Sequence, residues 1–290
     1  NSSIHEYLIP KRIHQAWISN EVGHMSSIWI KSCLSLHPDW EYWFWTPAEA
    51  NAFLKQYYPD SLPVYESFRD SAQSEDLLRY LVLHHYGGFF IDLDMKCLKP
   101  LDPWAAMYSC FVSKEPYEHL LQYDNSTIHT VANGLVVCKA GHPFLMDAVK
   151  RIQTLHRENK LPPLNSTGST LLTQVLKTYE ATKPDVNDQV KLIPPKYFMS
   201  TFDESNVDVI RALKTKCDEP NPQVRLHTNE KNICKAYRRR KGDNSPSNDS
   251  YTNHFWLPLH GDNSKRLYTV SIFSVNPKTK TFRNSVSGSS

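Results

Sequence analysis

The sequence predicts an α/β protein, a mostly parallel central sheet flanked by helices, and three observations carry that expectation. The first sixty residues alternate strand, helix, strand and helix, the order from which parallel sheets are built. A helix of strong apolar periodicity follows at residues 71–86 and stops at a pair of glycines. Directly after it comes Phe89-Phe90-Ile91, a short run of aromatic and β-branched residues that reads as a buried strand.

Taken in order, Ile9 to Trp17 reads as a proline-started first strand, and Trp29 to Leu36 as a helix ending near Pro38. Glu41-Tyr42-Trp43-Phe44-Trp45-Thr46 is aromatic and β-rich, a second strand. Thr46-Pro47-Ala48-Glu49 then opens a helix, with a threonine cap, proline at the first position and glutamate three after the cap. In the helix at 71–86, Leu77, Leu78, Leu81 and Val82 recur at the spacing of one buried face, and Gly87-Gly88 ends it. Phe111-Val112 and Gly134 to Cys138 are further strands. Phe144 to His156 and Thr170 to Tyr179 are helices separated by a polar loop at 157–168, and Val190 to Ile193 is a short strand. From about residue 215 the chain turns polar and irregular. Residues 238–250, three arginines followed by Gly, Asn, Ser and Pro, read as a mobile loop. Apolar character returns at Trp256 to His260 and Leu267 to Phe273. With no internal repeat and no clear linker, residues 1–290 are expected to form one domain.

Composition excludes several function classes. Hydrophobic residues at 40% and charged residues at 22% are ordinary for a soluble globular protein. A net charge of +3 is too weak to argue for a nucleic-acid partner. No run of eighteen apolar residues exists to span a membrane. The start, Asn1-Ser2-Ser3, has no Met and no signal-peptide pattern, and reads as a trimmed or mature chain. Six cysteines at 33, 97, 110, 138, 217 and 234 contain no C-x-x-C pair, which argues against a zinc site and allows up to three disulfides. Glycosylation sequons stand at Asn1, Asn125, Asn165 and Asn248. Together, cysteines and sequons point to a secretory-pathway lumen.

The chemistry concentrates where the third strand ends. Asp92 and Asp94 lie two apart on extended backbone, so both carboxylates can face one point. Aimed together they repel unless a cation sits between them or one keeps a proton. In α/β sheets ligands bind outside the carboxyl ends of strands, where this pair sits. Mg²⁺ or Mn²⁺ binds through one or two carboxylates plus substrate phosphates, so a diphosphate is the natural partner. Asp76 and Arg79, three apart on the preceding helix, share a face; the bland alternative is a surface ion pair. The pair His84-His85 packs or faces solvent, and the run Lys235, Arg238, Arg239, Arg240, Lys241 reads as a solvated basic loop.

Ser74-x-Asp76-x-x-Arg79-Tyr80 followed by Gly87-Gly88-x-x-x-Asp92-x-Asp94 resembles the signature of the DXD glycosyltransferases of family 32. Four further segments resemble that family: Ile9 to Trp17, Phe44-Trp45-Thr46, Asn133-Gly134 with Gly141-His142-Pro143-Phe144, and Thr167 to Thr173 with Ser169 in place of a proline. The resemblance runs from residue 9 to about 175. It implies a GT-A fold, a GDP- or UDP-sugar donor, a divalent metal (Mn²⁺ or Mg²⁺), and hexosyl transfer to a glycan or glycolipid hydroxyl with retention of configuration. It also implies a Golgi-lumen location, with an N-terminal membrane anchor ahead of Asn1. Carried onto this chain, Asp92 and Asp94 hold the metal and diphosphate, and Asp76 and Arg79 contact the donor sugar. Trp17, with Ile13 and Gln15 beside it, lines the nucleotide pocket, and Asn133 faces the reacting sugar. A C-terminal histidine completes the metal site, with His254 preferred over His260. Two other readings compete: a glycan- or nucleotide-binding protein without turnover, and a haloacid-dehalogenase-type phosphohydrolase. The latter expects Thr or Val where this chain has Lys96.

Overall fold

The computed structural model describes residues 7–122, 130–160, 167–218, 226–257 and 269–282. In chain order the strands are β1 (Arg12–Ala16), β2 (Glu21–Gly23), β3 (Glu41–Trp45), β4 (Gly88–Ile91), β5 (Met95–Cys97), β6 (Cys110–Lys114), β7 (Val131–Cys138), β8 (Lys191–Ile193), β9 (Thr252–His254) and β10 (Thr269–Ser271). The α-helices are α1 (His24–Leu36), α2 (Pro47–Tyr57), α3 (Leu62–Ser67), α4 (Ser71–Tyr86), α5 (Asp102–Met107), α6 (Pro143–Arg157), α7 (Ser169–Ala181), α8 (Val207–Leu213), α9 (Thr228–Arg240) and α10 (Ile272–Val275).

Six strands form the central sheet in the order β3-β1-β4-β7-β6-β8. The β3–β1, β1–β4 and β6–β8 pairs are parallel, whereas β7 is antiparallel to both its neighbours, so five strands point one way and β7 the other. The α/β class and the mostly parallel sheet are as expected. Side chains of β4 alternate between two cores. Phe90 packs among Leu77, Leu81, Phe144 and Leu172 of the helices on one face. Phe89 and Ile91 pack with Ile30, Trp104 and Phe198 on the other. A third, smaller core joins the turn at Tyr117–Gln122 to α8 and α9, through Leu121, Val209, Leu213 and Ile233.

Helix α4 is more deeply set than a one-faced amphipathic helix. Every residue from Asp76 to Leu83 is buried, polar Asp76 and Arg79 included. The helix ends at Gly87, whose backbone φ of 63° and N–H bond to Leu83 O turn the chain. A Cβ there would lie 2.6 Å from the backbone N of Ala140, so glycine is required. Strand β4 then carries the chain through the middle of the sheet to Asp92.

Two expectations are corrected. The segment read as a mobile loop from residue 238 begins inside α9, which runs to Arg240. A reciprocal cap between His227 and Glu230 starts that helix, and buried Ile233 and Cys234 hold it, Cys234 bonded to Cys217. Strand β2 was not foreseen; it pairs with β10, near the far end of the sequence. The other disulfides are Cys33–Cys97 and Cys110–Cys138. Asn248 is exposed, while the sequons at Asn1, Asn125 and Asn165 lie outside the described residues. Among the described residues no helix is long and apolar enough to cross a membrane.

Candidate active site

Past the end of β4 the chain makes a turn that presents Asp92 and Asp94 into a cavity of about 580 Å³. Met95 N bonds back to Asp92 O at 3.1 Å, and Asp92 N takes Gly134 O on β7 at 2.9 Å. β5 continues from the turn and pairs with β9, with Met95 opposite His254. That register carries His254, 160 positions downstream, onto the two aspartates. His254 Nε2 lies 3.0 Å from Asp94 Oδ1. Ligand atoms of Asp92, Asp94 and His254 all fall within 4.8 Å of one another.

Segment 255–257 is bound to the same aspartate. Phe255 N donates to Asp94 O at 3.0 Å and Leu257 N to Asp94 Oδ2 at 2.9 Å. Trp256 between them has a φ of 54°, which a bulky residue keeps only when its surroundings impose it. Its ring lies 3.9 Å from His254 and 4.7 Å from His119, centroid to centroid.

Behind the carboxylates sits Arg79, 2% exposed. Its guanidinium donates to Asp92 Oδ1 at 2.6 Å, to Glu75 Oε1 at 3.2 Å, and to Asn133 O. It is therefore a buried clamp on Asp92 rather than a member of a surface pair with Asp76. Asp76 has its own partners. Thr167 Oγ1 donates to its Oδ2 at 2.8 Å and Asn133 Nδ2 to its Oδ1 at 2.7 Å. Ser169 Oγ lies 3.1 Å from both Asn133 Oδ1 and Glu115 Oε1, and Glu115 Oε2 lies 2.7 Å from His119 Nδ1.

These acids are more than one arginine can neutralise. Burial, with Asp92, Asp76 and Asp94 adding to it against Arg79, pushes Glu75 up to about 8. Burial raises Asp76 to about 6 despite Arg79 and its two hydrogen bonds. Asp92 is also raised by burial, with Asp94 repelling its charge. Burial works against the charged form of Asp94 too, but His254 and the Leu257 N–H hold its carboxyl below the usual range. His254 is pushed down by burial and, more strongly, up by Asp94 and Asp92. A cation at this point would relieve the repulsion. The residues fit one: two carboxylates and an imidazole suit a divalent ion, and the buried His254 Nδ1 has no hydrogen-bond partner among the described residues.

The sequence candidates divide as follows. Trp17, Asp76, Arg79, Asp92, Asp94, Asn133 and His254 all line the cavity. His260 lies outside the described residues. Ile13 does not reach the cavity, because its side chain alternates into the core beneath the sheet and is 1% exposed. Gln15 is wholly buried as well; it accepts from Tyr42 OH at 2.8 Å and its Nε2 lies 3.3 Å from Asp92 O, so it props the turn from below. Glu75, Glu115, His119 and Asp203, which also line the cavity, were not singled out from the sequence. Glu115 and His119 are four apart, a spacing too common to mark them.

Comparison with known proteins adds the following. Residues 24–111 match the family model described as the glycosyltransferase sugar-binding region containing the DXD motif. The mannosyl phosphorylinositol ceramide synthase SUR1 of Saccharomyces cerevisiae is 30% identical over 66% of this chain and 48% of its own length. Inositol phosphoceramide mannosyltransferase 2 of Schizosaccharomyces pombe is 43% identical over 33% of this chain and 28% of its own. An uncharacterized glycosyltransferase, L373, of Acanthamoeba polyphaga mimivirus is 27% identical over 66% of this chain and 72% of its own. The chain spans half or less of the length of the yeast relatives it matches. Among solved structures, the PaToxG glycosyltransferase is similar with a TM-score of 0.46, at 17% identity over 84% of this chain and 89% of that one.

Proposed function

We propose that the chain, whose residues 24–111 match the glycosyltransferase sugar-binding region containing the DXD motif, is a metal-dependent retaining hexosyltransferase. Its donor is a nucleotide-diphosphate sugar and its acceptor a hydroxyl of a glycan or glycolipid. The observation that carries this reading is the convergence of Asp92, Asp94 and His254 on one point of a cavity large enough for a nucleotide sugar. Mannose is the first donor sugar to test, because several relatives are named for mannosyl transfer.

The proposed division of labour follows from the contacts. Asp92, Asp94 and His254 hold a divalent cation, which when bound offsets charge on the departing diphosphate. Arg79 fixes Asp92 in place and favours its charged form against burial. Asp76 and Asn133, locked to each other and to Thr167, present hydrogen-bonding groups to the donor sugar. Trp17 offers an aromatic face to the nucleotide at the cavity's edge. Segment 255–257, bound to Asp94 through Phe255 N and Leu257 N, holds that carboxylate in position. Residues 1–290 act as one catalytic domain, since His254 comes from the C-terminal part. The site faces a secretory compartment, which suits three disulfides. The phosphohydrolase alternative is disfavoured by Lys96, which stands where that reaction's motif expects Thr or Val.

A thermal-shift panel tests the proposal: GDP-mannose, UDP-galactose, UDP-glucose, UDP-N-acetylglucosamine and UDP-N-acetylgalactosamine, each with Mn²⁺ and with chelator. One donor is expected to raise Tm beyond the metal alone, and chelation should remove that increment. Metal-independent turnover of a phosphate ester that survives Asp94→Asn would sink the reading.

A further inference from the structure

Glu115, His119 and Asp203 form a second polar cluster in the cavity, and we propose that it is an acceptor subsite that takes an uncharged polyol through Glu115. This rests on the hexosyltransferase reading above. Glu115 stands at the end of β6, its backbone N–H bound to Thr130 O at 2.8 Å. Its side chain is 14% exposed, faces the cavity and is held at both oxygens: Ser169 Oγ donates to Oε1 at 3.1 Å and His119 Nδ1 to Oε2 at 2.7 Å. His119 Nε2 accepts from Asp203 N at 2.9 Å, so the proton sits on Nδ1 and points at Glu115. Each carboxylate oxygen has two lone pairs, so each keeps one for a hydroxyl donor from the cavity. Asp203 adds a second acceptor; its Oδ1 takes the N–H and hydroxyl of Ser205, and Oδ2 has no hydrogen bond among the described residues.

The apolar wall of this cluster is Trp256, whose ring centroid lies 4.7 Å from that of His119 and 3.9 Å from that of His254, so it borders both the cluster and the candidate metal ligands. Two carboxylates offering lone pairs, a hydroxyl and an indole face are the groups that recognise a sugar or cyclitol ring. Charge narrows the ligand further. Among the described residues lining the cavity, seven are Asp or Glu, Arg79 is the one Lys or Arg, and Arg79 is already bound to Asp92 and Glu75. An anionic substituent on the reacting ring would meet Glu115 and Asp203 with no free Lys or Arg among the described lining residues to answer it, the cation proposed at Asp92 and Asp94 being taken up by the donor diphosphate. The acceptor's reacting ring is therefore neutral, and any phosphate or carboxylate it carries lies beyond the cavity.

The test separates transfer from hydrolysis, using Mn²⁺ and the donor found in the thermal-shift panel. Acceptors are methyl glycosides of mannose, galactose and glucose and free myo-inositol, set against the corresponding 6-phosphates and inositol 1-phosphate. The wild-type chain is expected to transfer to at least one neutral acceptor and at least 10-fold less well to its phosphorylated form. In Glu115→Gln the carboxamide removes one acceptor and the charge. The acceptor KM is expected to rise about 10- to 100-fold, the loss of a charge-assisted hydrogen bond. Donor KM and donor hydrolysis should stay within twofold and Tm within about 2 °C, which a general structural disturbance would not allow. Preference for the phosphorylated acceptors, transfer to none of the neutral ones, or an unchanged acceptor KM in Glu115→Gln would each overturn the subsite. A wild-type chain that neither binds nor hydrolyses any nucleotide sugar would overturn the hexosyltransferase reading instead.

Discussion

Asp76 shows how a single buried carboxylate sets a stability profile. Its folded-state pKa of about 6 lies above the ordinary 3.8, because burial penalises the charge more than Thr167, Asn133 and Arg79 stabilise it. The folded chain therefore keeps this proton at a pH where the unfolded chain has already lost it. The group's contribution to stability is complete below about pH 4 and is lost as pH rises through about 6, to the extent of about 3 kcal/mol. Asp76→Asn, compared with wild type by denaturant unfolding in metal-free buffer at several pH values, should lack that decline between pH 4 and 6. Parallel pH profiles would show that Asp76 does not titrate in this window. At this scale the sequence was informative where chemistry needs a spacing: Asp92, Asp94, Asp76, Arg79 and Asn133 all reach one cavity. It carried no warning that Ile13 and Gln15, which share Trp17's side of the strand, lie further back along β1 and are buried short of the cavity. It was silent on Glu115 and His119, whose importance arises from Ser169 and Asp203, which the fold brings alongside.

Among the elements, strand β7 and the β5–β9 ribbon decide where the ligand atoms stand. Gly134 on β7 leaves room for them; a Cβ there would come within 3.1 Å of Asp92 Oδ2 and 3.2 Å of His254 Cε1. Gly134→Ala is expected to push both groups off position and weaken Mn²⁺ binding by about 10-fold, the scale seen for disturbed ligand orientation. Unchanged Mn²⁺ affinity in that variant would mean that Asp92 and His254 are not ligands. The ribbon is anchored by Cys33–Cys97, which ties β5 to α1 across 64 residues. Replacing both cysteines by alanine should lower unfolding free energy by about 4 kcal/mol on the loop-closure estimate, read from the denaturant midpoint. The helices and most strands were legible because their apolar periods are strong, α4 and β4 above all. The three-residue strands β2, β5 and β9 were not, because a strand that short has no period to read, and its partners are remote in sequence. α9 was missed for a related reason: five cationic residues, Lys231, Lys235 and Arg238 to Arg240, hid the buried pair Ile233 and Cys234.

At the scale of the whole molecule, the candidate site is a joint between two parts of the chain. The region matching the DXD family model ends at residue 111, yet His254 and Trp256 come from 140 residues later. Local sequence preferred His254 over His260 only on spacing; the β5–β9 register brings His254 beside the aspartates, while His260 lies outside the described residues. The proposed function requires that Asp92, Asp94 and His254 act together on a divalent cation. The direct measurement is Mn²⁺ titration followed by electron paramagnetic resonance of the free ion, with GDP or UDP present, on the wild-type chain and on Asp94→Ala and His254→Ala. One nucleotide-dependent Mn²⁺ per wild-type chain, weakened at least 10-fold in each variant, is the predicted result. Equal Mn²⁺ binding in all three proteins, or none in the wild type, would contradict it.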